Sequence, residues 1–185
     1  MIKQQKEKPK TKADAVYWKR FERHKEELAA LYRSLYQNDA MFAELCMRME
    51  EAYLARAGAL KERDAEREKA PDWYRGSDLL GMMLYIDNFA GNLRGVKKKL
   101  SYFQRAKVNY LHLMPFLDTT EGKSDGGYAV RDFYKVREDL GTMEDLRELT
   151  AACHERGMNV CMDFVMNHTS EDHEWARRAR AGDTE

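Results

Sequence analysis

The sequence predicts an α/β protein in which an all-helical N-terminal part precedes a β-α-β-α-β unit with parallel strands. Two observations carry this prediction. From about residue 14 to residue 70, apolar residues recur at helical spacing. After Gly81 the pattern changes to short runs that are apolar at nearly every position, which is typical of parallel strands buried on both faces.

The N-terminal part predicts two amphipathic helices and a domain boundary. One apolar stripe comprises Trp18, Phe21, Leu28, Leu31, Tyr32 and Leu35, and a second comprises Phe42, Leu45, Met49 and Tyr53. Asn38 and Asp39 interrupt the pattern and can cap the second helix, which favours an antiparallel pair. The charged stretch 61–69 is expected to be a solvated helix end. We therefore predict a flexible basic tail over residues 1–13, a helical domain over 14–75 and a second domain over 76–185.

The second domain is expected to contain strands near residues 82–87, 108–114 and 159–165. A helix around residues 93–105 would link the first two, with Lys97, Lys98 and Lys99 on its solvated face. A capping box of Thr142 and Asp145 predicts the start of the next helix. This order begins both a doubly wound sheet and a closed barrel, and periodicity does not separate the two.

Composition limits the partners and the compartment. Thirty-two basic and thirty-two acidic residues cancel, so neither nucleic acid nor an anionic membrane is an expected partner. Residues 1–12 are polar and lysine-rich, unlike a signal peptide. Cys46, Cys153 and Cys161 form no CxxC pair, which predicts free buried thiols and a cytoplasmic location; a secreted protein with few thiols is the alternative. No cofactor is expected.

Polar residues cluster where the predicted strands end. Asp87 and Asn88 follow the first strand, residues 125–128 lie in the long connection after the second, and Asn167 and His168 follow the third. Because the carboxyl ends of parallel strands meet at one rim, we expect these side chains to form one site.

Each of these motifs also has a purely structural interpretation. Asp163 in an apolar strand needs a partner, and with a capping Asn167 it could serve the fold alone. The adjacent glycines 126 and 127 could mark only a turn. The length of the connection between residues 114 and 141 favours a functional loop, in which Tyr128 offers a flat face for a sugar ring and Asp125 offers oxygens for its hydroxyls.

A metal site is the weaker interpretation of the acidic and imidazole groups near residue 170. The candidates are His168, Asp172, His173 and Glu174. The same segment has the features of a helix from Ser170 to Gly182, with acids in its first turn and arginines in its last. We therefore predict a helix and no metal.

Four segments resemble amylosucrases of glycoside hydrolase family 13, the α-amylase family. They are Tyr110–Pro115, Glu121–Val130, Leu140–Arg147 and Asp163–Ser170. The resemblance covers essentially the whole chain, and it implies that the helical domain is followed by the first three βα units of an incomplete (β/α)8 (TIM) barrel. It also implies a retaining enzyme that transfers glucosyl groups from sucrose to α-glucan. A sucrose hydrolase or other α-glucosidase of the same family is one alternative, and a non-catalytic carbohydrate-binding fragment is another.

The resemblance also assigns roles to individual residues. Asp125 and His168 would hydrogen-bond the glucosyl ring, and Tyr128 would be the aromatic platform beneath it. Asp163, Asn167 and Asp87 would support the site. Family members carry their nucleophile, acid/base and third carboxylate on later barrel strands, so the catalytic groups are expected beyond Glu185 and this piece alone is expected to be inactive. The sequence indicates no oligomeric state.

Overall fold

The computed structural model describes the backbone of residues 12–183 and the side chains from residue 15 onward. Most of the predicted basic tail, residues 1–11, lies outside the described residues. The chain divides into two compact units between Trp73 and Tyr74, close to the boundary predicted between residues 75 and 76.

The first unit contains three helices, α1 (Lys12–Leu35), α2 (Asp39–Ala55) and α3 (Gly58–Lys69). Asn38 caps α2, since its side chain accepts a hydrogen bond from the backbone N–H of Met41 at 3.1 Å. The rings of Tyr32 and Phe42 lie 5.2 Å apart. Those of Tyr17 and Tyr53 lie 5.5 Å apart. These contacts join opposite ends of α1 and α2, so the two helices run antiparallel. The charged stretch expected to be a helix end forms a separate helix, α3.

The second unit alternates strands and helices. Its elements are β1 (Gly81–Leu84), α4 (Ile86–Ala90), α5 (Leu93–Lys98), α6 (Leu100–Arg105), β2 (Tyr110–Leu113), β3 (Leu117–Thr119), β4 (Val130–Val136), α7 (Met143–Glu155), β5 (Asn159–Met162) and α8 (Glu174–Arg180). Strands β1, β2 and β5 form a parallel sheet in the order β1-β2-β5, and β3 pairs with β4 antiparallel. The predicted fold class is confirmed: the described strands and helices fit part of a barrel domain, and the three parallel strands do not close.

The core of the second unit lies on one face of the parallel sheet. Leu111 and Leu113 of β2 are fully buried there against Val96, Phe103 and Leu149 of the helices. Alternation along the strands turns the neighbouring residues to the other face, where Tyr110, His112 and Cys161 are only half-buried.

Several predicted boundaries in this unit were wrong. The three strands are shorter than expected, and β1 ends at Leu84 because the chain turns into α4 two residues later. The single helix expected over residues 93–105 is two helices, α5 and α6, which meet at Lys99. Lys97 is also not simply solvated, because its ammonium pairs with Glu148 of α7 at 2.9 Å.

The long connection after β2 contains a strand pair that sequence patterns did not predict. The Asp118 carboxylate of β3 is buried and accepts two hydrogen bonds from the Arg131 guanidinium of β4, at 2.8 and 2.9 Å. Pairing with Arg131 compensates the cost of burying this charge. The two strands hold the loop 120–129 between them.

The expected thiol state and helix start can also be compared with the structure. All three cysteines are free, but only Cys153 is buried. The last helix begins at Glu174 and not at Ser170, because the His173 side chain caps it. Ser170 is buried, and its hydroxyl accepts a hydrogen bond from the Asp172 N–H. Within residues 12–183, no helix has the length and apolarity needed to cross a membrane.

Candidate functional site

The loop 120–129 has a backbone that two glycines make possible. Gly126 and Gly127 have φ values of 62° and 89° and are the central residues of a turn. The Tyr128 N–H closes this turn by donating to the Asp125 carbonyl at 3.3 Å. A Cβ at Gly127 would lie 2.7 Å from the carbonyl oxygen of Pro115. This loop therefore packs closely on the end of β2, and its shape requires glycine at residue 127.

Tyr128 and Asp163 are joined by a short side-chain hydrogen bond. The Tyr128 hydroxyl donates to the Asp163 carboxylate at 2.6 Å, and the Asp163 N–H donates to the carbonyl of Leu113 at 2.9 Å. This hydrogen bond to Asp163 is the main cause that raises the pKa of Tyr128 to about 12. Asp163 lies one residue beyond β5 and is half-buried, and Tyr128 is the partner that compensates its partial burial.

His168 lies against the same residue. Its Nε2 is 3.1 Å from the backbone carbonyl oxygen of Tyr128, and its Nδ1 is 3.4 Å from the Asn167 side-chain nitrogen. A carbonyl oxygen only accepts, so Nε2 carries the proton and Nδ1 accepts from Asn167. The bond at Nδ1 is the longer of the two, and it is the one that a sugar hydroxyl could replace.

The structure therefore brings most of the predicted site residues together. Tyr128, Asp163, Asn167 and His168 are joined by direct contacts, and the exposed Asp125 belongs to the turn that leads into Tyr128. These residues come from the loop between β3 and β4 and from the segment after β5. Their arrangement brings an aromatic ring, a carboxylate and an imidazole close together.

Asp87 lies in a different cluster. Its carboxylate accepts from the Arg137 guanidinium at 2.7 Å, and Arg137 also pairs with Asp139 at 2.7 Å. The hydrogen bond from Arg137 lowers the pKa of Asp87 below its ordinary value. Its predicted supporting role would thus act through Arg137.

Sequence reasoning missed two residues at this site. Lys123 pairs with Glu171 and Asp172, which were predicted to be first-turn acids of a helix; Asp172 had also been a candidate metal ligand. Tyr85, at the end of β1, has its hydroxyl 3.1 Å from where a Cβ of residue 126 would lie. The unusual run Glu121–Tyr128 could have drawn attention to Lys123, but only the fold shows its partners. Among the described residues, no group of three or more potential ligands could hold a metal ion.

Comparison with known proteins identifies the family. Residues 15–185 match the family described as alpha amylase, catalytic domain, and the chain belongs to it. A trehalose synthase/amylase of Mycolicibacterium smegmatis is 47% identical over 90 residues, which are 49% of this chain and 15% of that protein. A trehalose-6-phosphate hydrolase of Bacillus subtilis is 41% identical over 92 residues, 50% of this chain and 16% of that protein.

Solved structures agree with this assignment. The trehalose-6-phosphate hydrolase of Bacillus licheniformis aligns with a TM-score of 0.53 and 31% identity over 60% of this chain and 21% of that one. The trehalulose synthase of Pseudomonas mesoacidophila aligns with a TM-score of 0.51 and 30% identity over 56% of this chain and 20% of that one.

These comparisons confirm the α-amylase family, whose members are glycoside hydrolases and transglycosylases, and they do not single out amylosucrases. The chain spans between 15% and 20% of the length of the curated relatives it matches. The residues aligned with these relatives make up about half to three fifths of this chain. The second unit makes up about three fifths of it.

Proposed function

We propose that this chain supplies part of the glucosyl-binding subsite of a retaining enzyme that transfers glucosyl groups from sucrose to an α-glucan. The observation that carries the proposal is the convergence of two separate chain segments on Tyr128, through its hydroxyl to Asp163 and its carbonyl to His168. The run Glu121–Tyr128 and the helical unit before the barrel part favour the amylosucrase type within the family.

Each residue has a defined role in this proposal. Asp163 fixes the edge of the Tyr128 ring, so that its face can lie against a glucosyl ring. The exposed Asp125 carboxylate and the imidazole of His168 bind the hydroxyls. Hydrogen bonds of this kind strengthen as the ring gains oxocarbenium character, and they stabilise the transition state more than the substrate. The resemblance places neither the nucleophile nor the acid/base among residues 1–185.

A second candidate function is hydrolysis of an α-glucoside. It is favoured by similarity to proteins named trehalose-6-phosphate hydrolase and, in Bacillus cereus, oligo-1,6-glucosidase. The two candidates share the glucosyl subsite, and they differ in the glucosyl donor and in whether a sugar or water accepts the glucosyl group.

Product analysis of the natural gene product distinguishes these candidates. It would be incubated separately with sucrose, trehalose, trehalose 6-phosphate and isomaltose, and glucose, fructose and polymer would be measured. Transfer predicts that sucrose releases more fructose than free glucose, with glucan making up the difference. Equal release indicates hydrolysis. If sucrose is not consumed, the proposed donor is wrong, and binding of glucan without any turnover would indicate a non-catalytic protein. Residues 1–185 alone are expected to turn over none of these sugars.

A pair of tyrosine variants tests the role of the site itself. Tyr128→Phe removes the hydrogen bond to Asp163 and is expected to lower kcat/KM roughly tenfold, a loss usual for a hydrogen bond to a charged group. Tyr134→Phe is the control, because Tyr134 is 87% exposed on β4. Equal activity of both variants would show that the hydrogen bond from Tyr128 to Asp163 does not order the subsite.

A further inference from the structure

We propose that Lys123 is a positioning residue that clamps the loop 120–129 onto the segment 170–172 and so holds Tyr128 and Asp125 in place for the substrate. The inference rests on the proposed function, in that it names what orders the subsite. The Lys123 ammonium binds Glu171 and Asp172, and it acts on Tyr128 and Asp125 only through the loop.

The clamp has one cation between two carboxylates. The Lys123 ammonium lies 2.8 Å from a Glu171 carboxylate oxygen and 3.1 Å from one of Asp172. The hydrogen bonds to Glu171 and then to Asp172 raise the pKa of Lys123 above its ordinary value. The ammonium is therefore charged at neutral pH. The partners are distant in sequence, so the contact joins two separate segments.

The same two segments are already joined at the other end of the loop. The Ser170 N–H donates to the Val130 carbonyl at 2.8 Å, and His168 bonds the Tyr128 carbonyl. Inside the loop, the Ala129 N–H donates to the Ser124 hydroxyl at 2.9 Å. The C-terminal end of the loop thus contacts this part of the chain directly through backbone carbonyls. Lys123 ties the N-terminal part of the loop to the same part of the chain.

The segment that receives Lys123 is itself anchored. The backbone carbonyl of Glu171 accepts from the Arg180 guanidinium of α8 at 2.8 Å. The buried Ser170 hydroxyl holds the Asp172 N–H. The loop is therefore tied to a fixed point, and loss of Lys123 should loosen the loop around residue 123 while leaving the segment in place.

The exposure of Lys123 separates its proposed effect on substrate binding from any effect on global stability. About half of the Lys123 side chain is exposed, and exposed ion pairs contribute little to global stability. Small displacements of a binding group, in contrast, cost much activity, because substrate binding depends on geometry. Loss of the clamp should therefore appear in KM and in local loop order, with little change in melting temperature.

The test compares Lys123→Met with Lys97→Met in the natural gene product. Lys97 is similarly exposed and makes one ion pair with Glu148 between α5 and α7, so it controls for the loss of a surface lysine. Lys123→Met is expected to lower kcat/KM for the α-glucoside substrate about tenfold, mainly through KM, and to speed amide hydrogen exchange in residues 122–129. Lys97→Met should change neither quantity, and both variants should melt at nearly the wild-type temperature.

Two further variants show whether the charge acts through the two acids. Lys123→Arg keeps the charge and should retain most of the activity. The double variant Glu171→Gln with Asp172→Asn should reproduce the Lys123→Met phenotype, and adding Lys123→Met to it should cause no further loss. An additional loss in that background would show that Lys123 acts by another route and would overturn the clamp.

The outcomes also separate this inference from the proposed function. If the wild-type protein acts on an α-glucoside but Lys123→Met matches Lys97→Met in KM and in loop exchange, the clamp is refuted. If the wild-type protein turns over no α-glucoside, the proposed function fails. Hydrogen exchange alone then tests whether Lys123 holds the loop. Faster loop exchange in Lys123→Met than in Lys97→Met then supports the clamp, and equal exchange refutes it.

Discussion

Replacing Gly127 by alanine should disturb the proposed substrate loop more than the same change at Gly122. Both glycines lie in the loop 120–129 with positive φ, 89° at Gly127 and 71° at Gly122. They differ in what surrounds them. A Cβ at Gly127 would lie 2.7 Å from the carbonyl oxygen and 3.0 Å from the Cβ of Pro115, whereas a Cβ at Gly122 would meet no atom within 4 Å.

The magnitude follows from these two contributions. A left-handed backbone costs an L-residue about 1–2 kcal/mol, and both variants carry this cost. Overpacking against Pro115 adds roughly 1–3 kcal/mol for Gly127→Ala alone. We therefore expect Gly127→Ala to lower the free energy of unfolding by about 2–5 kcal/mol and Gly122→Ala by about 1–2 kcal/mol. In a chain of this size, each kcal/mol corresponds to roughly 2–4 °C in Tm.

Thermal unfolding of the two variants of residues 1–185, with kcat/KM measured for the same substitutions in the natural gene product, provides the assay. The close approach at Gly127 predicts the larger loss of Tm, together with a loss of activity that Gly122→Ala does not show. Equal effects of the two substitutions would refute the reasoning, because they would mean that the loop moves away from Pro115 without cost.

Three further predictions concern a titration, the core and a helix cap. Hydrogen bonding raises the pKa of Tyr128 to about 12, so its stabilising contribution is complete below the ordinary tyrosine pKa of about 10 and is lost as the pH rises through 12. Burial raises the pKa of Tyr17 to about 12 as well. In an ultraviolet titration, Tyr128→Phe and Tyr17→Phe should therefore each show one fewer late-ionising tyrosine than the wild type. An unchanged titration curve in either variant would contradict this assignment. Phe103→Ala removes a fully buried ring and should lower the free energy of unfolding by about 3–5 kcal/mol in denaturant titration; a loss below about 1 kcal/mol would show that the ring is not in the core. Thr142→Ala removes the cap of α7 and should cost about 1 kcal/mol by the same measurement, whereas the mid-helix Thr150→Ala should cost less; the reverse order would contradict the capping role.

The sequence predicts the elements that depend on local chemistry. Asn38 caps α2, and Thr142 and Asp145 form the capping box of α7, as expected from the residues alone. The three apolar runs form the three parallel strands, although burial on both faces was expected and only one face of the sheet is buried in this chain.

The parts that sequence reasoning missed depend on distant partners. Strand β3 is three residues long and contains Asp118, whose charge is tolerated only because Arg131 pairs with it from β4. No local pattern shows such a pair.

The same distinction applies to the candidate site. The rule that strand ends meet at one rim predicts that Tyr128, Asp163 and His168 belong together. It does not predict that His168 contacts the Tyr128 backbone, or that Asp87 pairs with Arg137. The role we propose for Lys123 depends on two acids nearly fifty residues away, and only the folded chain brings them within reach.

The position of the sugar in a crystal of the natural gene product soaked with sucrose tests the central claim most directly. The glucosyl ring is predicted to lie on the face of Tyr128, with hydroxyls within about 3.2 Å of the Asp125 carboxylate and the His168 imidazole. A glucosyl ring bound elsewhere in a crystal that turns over sucrose, with these three side chains unoccupied, would contradict the account.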